Sequence, residues 1–232
     1  MRQDGLVDAV IVTGAAGALG HAVVAEFRAA GRPVVALGRP GERLDALAAQ
    51  EGVHAVAVDL TSRASVHAAF AEIDVLPVTP DALVGLAGGF TPGSLAEVDE
   101  DQLDTLWRAN FSSALWTAQA AAPRLAARGG GAIVTVGART AVGGGAPVAH
   151  ATSKAAVVRL TTLLAEELRG DRIRVNAVLP STIDTPANRS WMPPGLAERA
   201  VAPEAIAKVI AFLCGPDAAP ISGAVIPVYG DA

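Results

Sequence analysis

Seven short runs of Val, Ile, Leu and Ala punctuate the chain, and most of them are apolar throughout instead of alternating. They span Asp8–Thr13, Pro33–Leu37, His54–Val58, Asp81–Leu86, Gly131–Val136, Ile173–Leu179 and Ala224–Pro227. A strand that is apolar on both faces must be covered on both faces, which is the condition of a parallel sheet between helices. Ala-rich stretches with helical character stand between them, at Gly17–Ala30, Gly41–Gln50, Arg63–Glu72, Gln102–Arg128, Ala149–Arg169 and Pro203–Leu213. The strand–helix alternation predicts an α/β fold, a doubly wound parallel sheet of about seven strands with helices on both faces. At 232 residues, with no repeat and no linker-like segment, a single domain over 1–232 is expected. Pro180–Ala202, with Pro186, Pro193 and Pro194, is the least regular part and reads as a substrate loop or lid.

Composition closes off several functions. Hydrophobic residues make up 51% and charged ones 18%, enough for a large core and too apolar for disorder. A net charge of -5 argues against nucleic-acid binding by bulk charge. Cys214 stands alone, so neither a disulfide framework nor a cysteine-built zinc site can form within one chain. His54 and His67 show no ligand spacing with carboxylates, and no metal is expected. No run approaches the roughly 20 apolar residues that span a bilayer. The opening Met1–Asp8 lacks the basic segment and cleavage pattern of a leader, so the expectation is a cytoplasmic protein without a membrane partner.

The first strand runs directly into Thr13-Gly14-Ala15-Ala16-Gly17-Ala18-Leu19-Gly20. A glycine-rich turn between a strand and a helix lets backbone N–H groups and the helix dipole meet a pyrophosphate. The second strand ends at Gly38-Arg39, where an NAD-selective fold would present an acidic group to the ribose. A guanidinium there suits a 2′-phosphate, so NADP is favoured over NAD. Asp59-Leu60 closes the third strand, where a carboxylate can accept from the adenine amino group. Ala87-Gly88-Gly89 follows the fourth, where small residues let a cofactor approach the backbone.

These residues resemble the short-chain dehydrogenase/reductase family over essentially the whole chain. Thr13–Gly20 is similar to its first glycine motif, with the middle glycine at 17, and Gly85-Leu86-Ala87-Gly88 to its Asn-Asn-Ala-Gly strand end. Val175-Asn176-Ala177-Val178-Leu179-Pro180 resembles its Val-Asn-x-Val-x-Pro-Gly strand, with Ser181 where glycine is usual. The resemblance implies a Rossmann-type fold and a nicotinamide cofactor held by Gly14, Ala16, Gly17, Ala18, Leu19, Ala87, Gly88, Gly89, Lys154, Pro180, Ser181, Ile183 and Thr185. It further implies a supporting role for Asn110 and pairing of the two long helices into a homodimer or homotetramer through small and apolar faces such as Ala114, Trp116, Ala118, Val157 and Leu164. Val178 to Arg189, followed by Met192-Pro193, most resembles the dihydropteridine reductase branch, which also lacks the family serine, here Gly137-Ala138.

The largest departure is chemical. Where the family carries Tyr-x-x-x-Lys, this chain has His150-Ala151-Thr152-Ser153-Lys154. Residues i and i+4 share a helix face, so the pair survives. The phenol, near pKa 10, becomes an imidazole near 6.5, and an adjacent ammonium disfavours its charged form. Tyr229, the one tyrosine, lies past the last strand and is not expected in the site. Two readings follow. The first is an NADP-dependent reductase of a conjugated carbonyl, quinonoid or pterin-like small molecule, with His150, Lys154 and Asn110 as its catalytic set. The second is a redox-inactive relative: a lyase, isomerase or cyclase with His150 as base, or a cofactor-binding regulatory protein.

Overall fold

A computed structural model of the chain describes residues 6–231. The opening Met1–Gly5, on which part of the leader reading rests, lies outside the described residues, as does Ala232. The elements in order are β1 (Val7–Thr13), α1 (Ala18–Ala29), β2 (Val34–Gly38), α2 (Glu42–Ala48), β3 (Val53–Ala57), α3 (Arg63–Ile73), β4 (Val78–Gly85), α4 (Glu100–Trp107), α5 (Ser113–Arg128), β5 (Gly131–Val136), α6 (Val148–Glu167), β6 (Ile173–Pro180), α7 (Pro186–Arg189), α8 (Pro194–Ala197), α9 (Pro203–Cys214) and β7 (Val225–Val228). The seven strands form one parallel sheet in the order β3-β2-β1-β4-β5-β6-β7.

The all-apolar strands have the reason expected of them. Val10 and Val12 of β1 point into a core with Val23, Val24 and Phe27 of α1 and Ile206, Ile210 and Leu213 of α9. Ala9 and Ile11 point the other way, to Val66 and Phe70 of α3 and Ala121 and Leu125 of α5. Side chains alternate across a strand, so two covered faces demand an unbroken apolar run.

The sheet reverses its winding between β1 and β4, and a crevice opens at the carboxyl ends of the strands at such a switch. Thr13, fully buried at the end of β1, fixes the two strand ends: its Oγ1 accepts from Leu86 N at 3.1 Å and Ala87 N at 3.3 Å. In a parallel sheet the loops after β1 to β6 lie on one edge, and these are the segments that carry the candidate residues.

Three expectations are corrected. The helix expected over Gln102–Arg128 is two helices joined by a π-helical turn at Arg108–Ser112. Such turns arise where one extra residue is accommodated in a helix, often at a functional site, and this one carries Asn110. β4 starts at Val78, earlier than the expected Asp81: Val78–Pro80 pair with Val7–Ala9, and a register shift between Ala9 and Val10 leaves Asp81 as the extra residue. Pro180–Ala202 is not without regular structure. Thr185 caps α7 by accepting from Asn188 N at 3.1 Å, Pro186 occupies the first helical turn, and Ile183 bridges to Val201 in parallel. A proline is favourable at that first helical position, which the expectation of irregularity overlooked.

Candidate functional site

Gly14 turns the chain out of β1 at φ +65°, a left-handed conformation that suits glycine. A side chain there would meet Ala87 N at 3.0 Å, so Gly14 also seats the loop against the end of β4. The turn delivers Gly17 as the N-cap of α1 with no side-chain cap. Gly17 and Ala18 are exposed, and Ala16 and Leu19 half-buried. The first N–H groups of a helix lack intrahelical partners. A cradle without a capping side chain leaves them for an anionic ligand. Arg39 is exposed just beyond Gly38 at the end of β2. Its positive charge helps to hold the Asp59 carboxyl below the usual carboxylate range, after the larger effect of bonds from Thr61. Those bonds, 2.9 Å from Thr61 N and 2.7 Å from its hydroxyl, both fall on Oδ1 of Asp59. Leu60 is half-buried beside it.

The second half of the site gathers around one peptide group, Gly89. Asn110, buried in the π-turn, accepts from Gly89 N through Oδ1 at 2.9 Å and donates from Nδ2 to Gly89 O at 3.2 Å. The same Nδ2 donates to Ser153 Oγ at 2.9 Å, and Ser153 donates to His150 O at 2.8 Å. His150 Nδ1 lies 3.2 Å from Gly89 O. The His150 ring packs edge-to-face with Phe90, with ring centroids 5.0 Å apart and planes at 72°. Ser153 and Phe90 escaped the sequence reading. Ser153 could have been found from its place between His150 and Lys154 on the same helix.

Lys154, one turn along α6, is buried and donates to Val136 O at 2.9 Å. Burial brings its pKa down to about 8. Burial first, then the Lys154 ammonium, lowers the pKa of His150 from the ordinary 6.5, against a smaller opposing effect of the bond to Gly89. Imidazole is therefore mostly neutral at pH 7, beside a cation. Gly88 has no room for a side chain, because a Cβ would stand 2.6 Å from Asn110 Oδ1 and 3.0 Å from Lys154 Nζ.

At the end of β5, Ala138 carries no hydroxyl. Arg139 follows, its guanidinium 5.3 Å over the ring of Tyr229. Tyr229, which was not expected in the site, lies past β7, and its backbone oxygen accepts from Ser181 Oγ at 2.7 Å. Pro180 is buried, and Ser181, Ile183 and Thr185 are half-buried along the same edge. Asn188 donates to Ile183 O at 2.8 Å and fixes the turn between them. Among the described residues there is no group of three or more His, Cys, Asp or Glu that could hold a metal, and no helix long and apolar enough to cross a membrane.

The comparisons with known proteins agree with this geometry. A model of the short chain dehydrogenase family matches residues 8–194. The chain is 31% identical over 245 residues to meso-2,3-butanediol dehydrogenase of Serratia marcescens, covering 100% of this chain and 96% of that protein. Its structure is similar to L-sorbose reductase of Gluconobacter frateurii complexed with NADPH and L-sorbose (TM-score 0.88, 26% identity, 99% and 98% of the two chains). It is also similar to 3-ketoacyl-(acyl-carrier-protein) reductase of Brucella melitensis complexed with NADH (TM-score 0.88, 26% identity, 96% and 97%). The protein belongs to the short-chain dehydrogenase/reductase family and is an oxidoreductase of that family with a Rossmann-type fold.

Proposed function

We propose that the protein is an NADP-dependent reductase of a conjugated carbonyl, quinonoid or pterin-like small molecule. The observation that carries this reading is the absence of a hydroxyl at both Ala138 and His150, beside a retained Lys154. An imidazole held neutral by burial and by a neighbouring ammonium is a poor acid at pH 7. Substrates whose developing charge delocalises, and which solvent can protonate, have the least need of a strong acid. The likeness of Val178–Arg189 to the dihydropteridine reductase branch points to pterins within that class.

When bound, NADP supplies the hydride. The cradle Gly14–Leu19 suits its pyrophosphate, Arg39 its 2′-phosphate and Asp59-Leu60 its adenine. Ala87, Gly88 and Gly89 leave room for it along β4, and Lys154 has donors for its ribose. Pro180, Ser181, Ile183 and Thr185 line the nicotinamide end. Asn110 acts as a positioning residue, through Gly89 and Ser153. A cytoplasmic homo-oligomer is part of the proposal. Ala118 and Val157 are spent in the chain's own core, so pairing would rest on exposed Leu103, Trp107, Val148 and Leu163.

The experiment is NADPH oxidation over a panel of quinonoid pterins, quinones and conjugated ketones, with Arg39→Ala beside the parent. A charge-assisted hydrogen bond contributes about 1.5–3 kcal/mol, so Arg39→Ala should weaken NADPH at least about tenfold and leave NADH nearly unchanged. Equal losses for both cofactors would remove the NADP assignment. Tight NADPH binding with no turnover across the panel would favour the redox-inactive alternative, with His150 as a base or the protein as a binding subunit.

A further inference from the structure

The hydrogen bond between His150 and Gly89 fixes which ring nitrogen carries the proton. Gly89 O is a carbonyl oxygen, which only accepts, so the ring nitrogen beside it, Nδ1, must carry a proton. A neutral imidazole has one N–H. With Nδ1 protonated, Nε2 bears a lone pair. Asn110 donates to the same oxygen and holds Gly89 in place, and Phe90 packs on the ring at 72°. Among the described residues nothing hydrogen-bonds to Nε2. The tautomer is therefore set by the backbone, and the nitrogen left for a ligand is an acceptor. A carbonyl oxygen presented there would meet lone pair with lone pair.

We infer that His150 Nε2 accepts a hydrogen bond from the substrate, so that the site selects acceptors bearing an N–H or O–H donor on the side that faces α6. This rests on the proposed hydride-transfer reading and narrows it. It favours a lactam-like ring N–H, as in a quinonoid pterin, or a hydroxyl beside the carbonyl, over a quinone that presents oxygen alone. His150 contributes no proton in the neutral state; solvent supplies the one that completes the reduction. Acid reverses the preference. Once the ring is protonated, both nitrogens donate, and carbonyl-only acceptors become the better partners. Among the described residues the charged group acting on the ring is Lys154, on α6 with it. Gly89, Phe90 and Asn110, from the β4 loop and the π-turn, do not titrate.

Two readouts on the full chain with NADP bound test this. The first is ¹⁵N NMR of ring-labelled histidine, with His150 assigned by loss of its signals in His150→Phe. At pH 7.5 the expected result is a protonated Nδ1 and a bare Nε2, whose signal moves on adding a quinonoid lactam and not its N-methyl analogue. A protonated Nε2, or equal responses to the two probes, overturns the inference. The second is kcat/KM for the same pair. The parent should prefer the N–H compound by about tenfold, the upper range of one net hydrogen bond. The preference should fall to near unity in His150→Phe and shrink in the parent as pH drops through the His150 titration. An unchanged ratio in His150→Phe also overturns it. If neither compound oxidises NADPH, the proposed function fails, and the NMR responses still decide the inference by themselves.

Discussion

Adding one methyl group at Gly88 should damage the site through Asn110 in particular. The Cβ of Gly88→Ala would stand 2.6 Å from Asn110 Oδ1, well inside contact distance, and 3.0 Å from Lys154 Nζ. The ammonium ends a flexible chain and can withdraw. The asparagine cannot yield without releasing Gly89 N, Gly89 O and Ser153 Oγ, which it holds at 2.9, 3.2 and 2.9 Å. Overpacking in a tight interior costs about 1–3 kcal/mol. Losing one of these three hydrogen bonds adds about 0.5–1.5 kcal/mol, so a total of roughly 2–4 kcal/mol is expected. For a chain of 232 residues that lowers Tm by roughly 4–16 °C. The decisive measurement is a double-mutant cycle by thermal or urea unfolding. In an Asn110→Ala background the obstructing oxygen is gone, and Gly88→Ala should cost less than about 1 kcal/mol. The same cost in both backgrounds would show that Asn110 is not the wall against which Gly88 is packed.

Two further outcomes are expected. Lys154 titrates near 8 in the folded chain against an ordinary 10.5. Between those values the unfolded chain binds the extra proton, so this group makes stability rise with pH, by about 1 kcal/mol per unit at most. Urea midpoints from pH 8 to 10 should show that rise in the parent and lose it in Lys154→Met; parallel profiles would contradict the assignment. Trp191, 55% exposed between α7 and α8, should be covered if this segment closes on a ligand. NADP⁺ should then change tryptophan fluorescence in the parent and not in Trp191→Phe, and an undiminished change in the variant would place the response at Trp107 or Trp116.

The sheet was legible in the sequence because its physical demand is one-dimensional. A strand covered on two faces must be apolar at successive positions, and Val10 to Val12 and Leu83 to Val84 meet that demand without reference to anything distant. The glycine cradle was legible for a similar reason, since its strand, turn and helix are contiguous. His150 and Lys154 were readable as a pair because a helix places i and i+4 together. What escaped depends on contacts across the chain. The break at Arg108–Ser112 lies inside a stretch whose composition suits an unbroken helix, and Asn110 owes its orientation to Gly89, 21 residues earlier. The contact of the Tyr229 ring with Arg139 also depends on pairing across the chain, since β7 lies beside β6. Thr13 reads as one more β-former, and only the adjacency of β1 and β4 reveals its hydroxyl as the clasp between their ends.

The chemistry left to the site follows from what the Gly89 peptide consumes. β4 ends at Gly85, so the Gly89 N–H and C=O lie beyond the sheet ladder, and buried backbone groups must find other partners. Asn110 commits both ends of its amide, and His150 commits Nδ1. Lys154 commits one of its three ammonium protons to Val136 O. Two kinds of valence then remain: cationic donors on Lys154, matched to a ligand rich in hydroxyl and phosphate oxygens, and one acceptor on His150. On the proposed reading, in which His150 stands where the family carries its tyrosine, a phenol there would have supplied an O–H able to donate and to accept. An imidazole hydrogen-bonded through Nδ1 to Gly89 O leaves acceptance alone in the neutral state. That reading therefore predicts that selectivity between donor-bearing and donor-free acceptors responds to position 150 more strongly than folding or cofactor affinity.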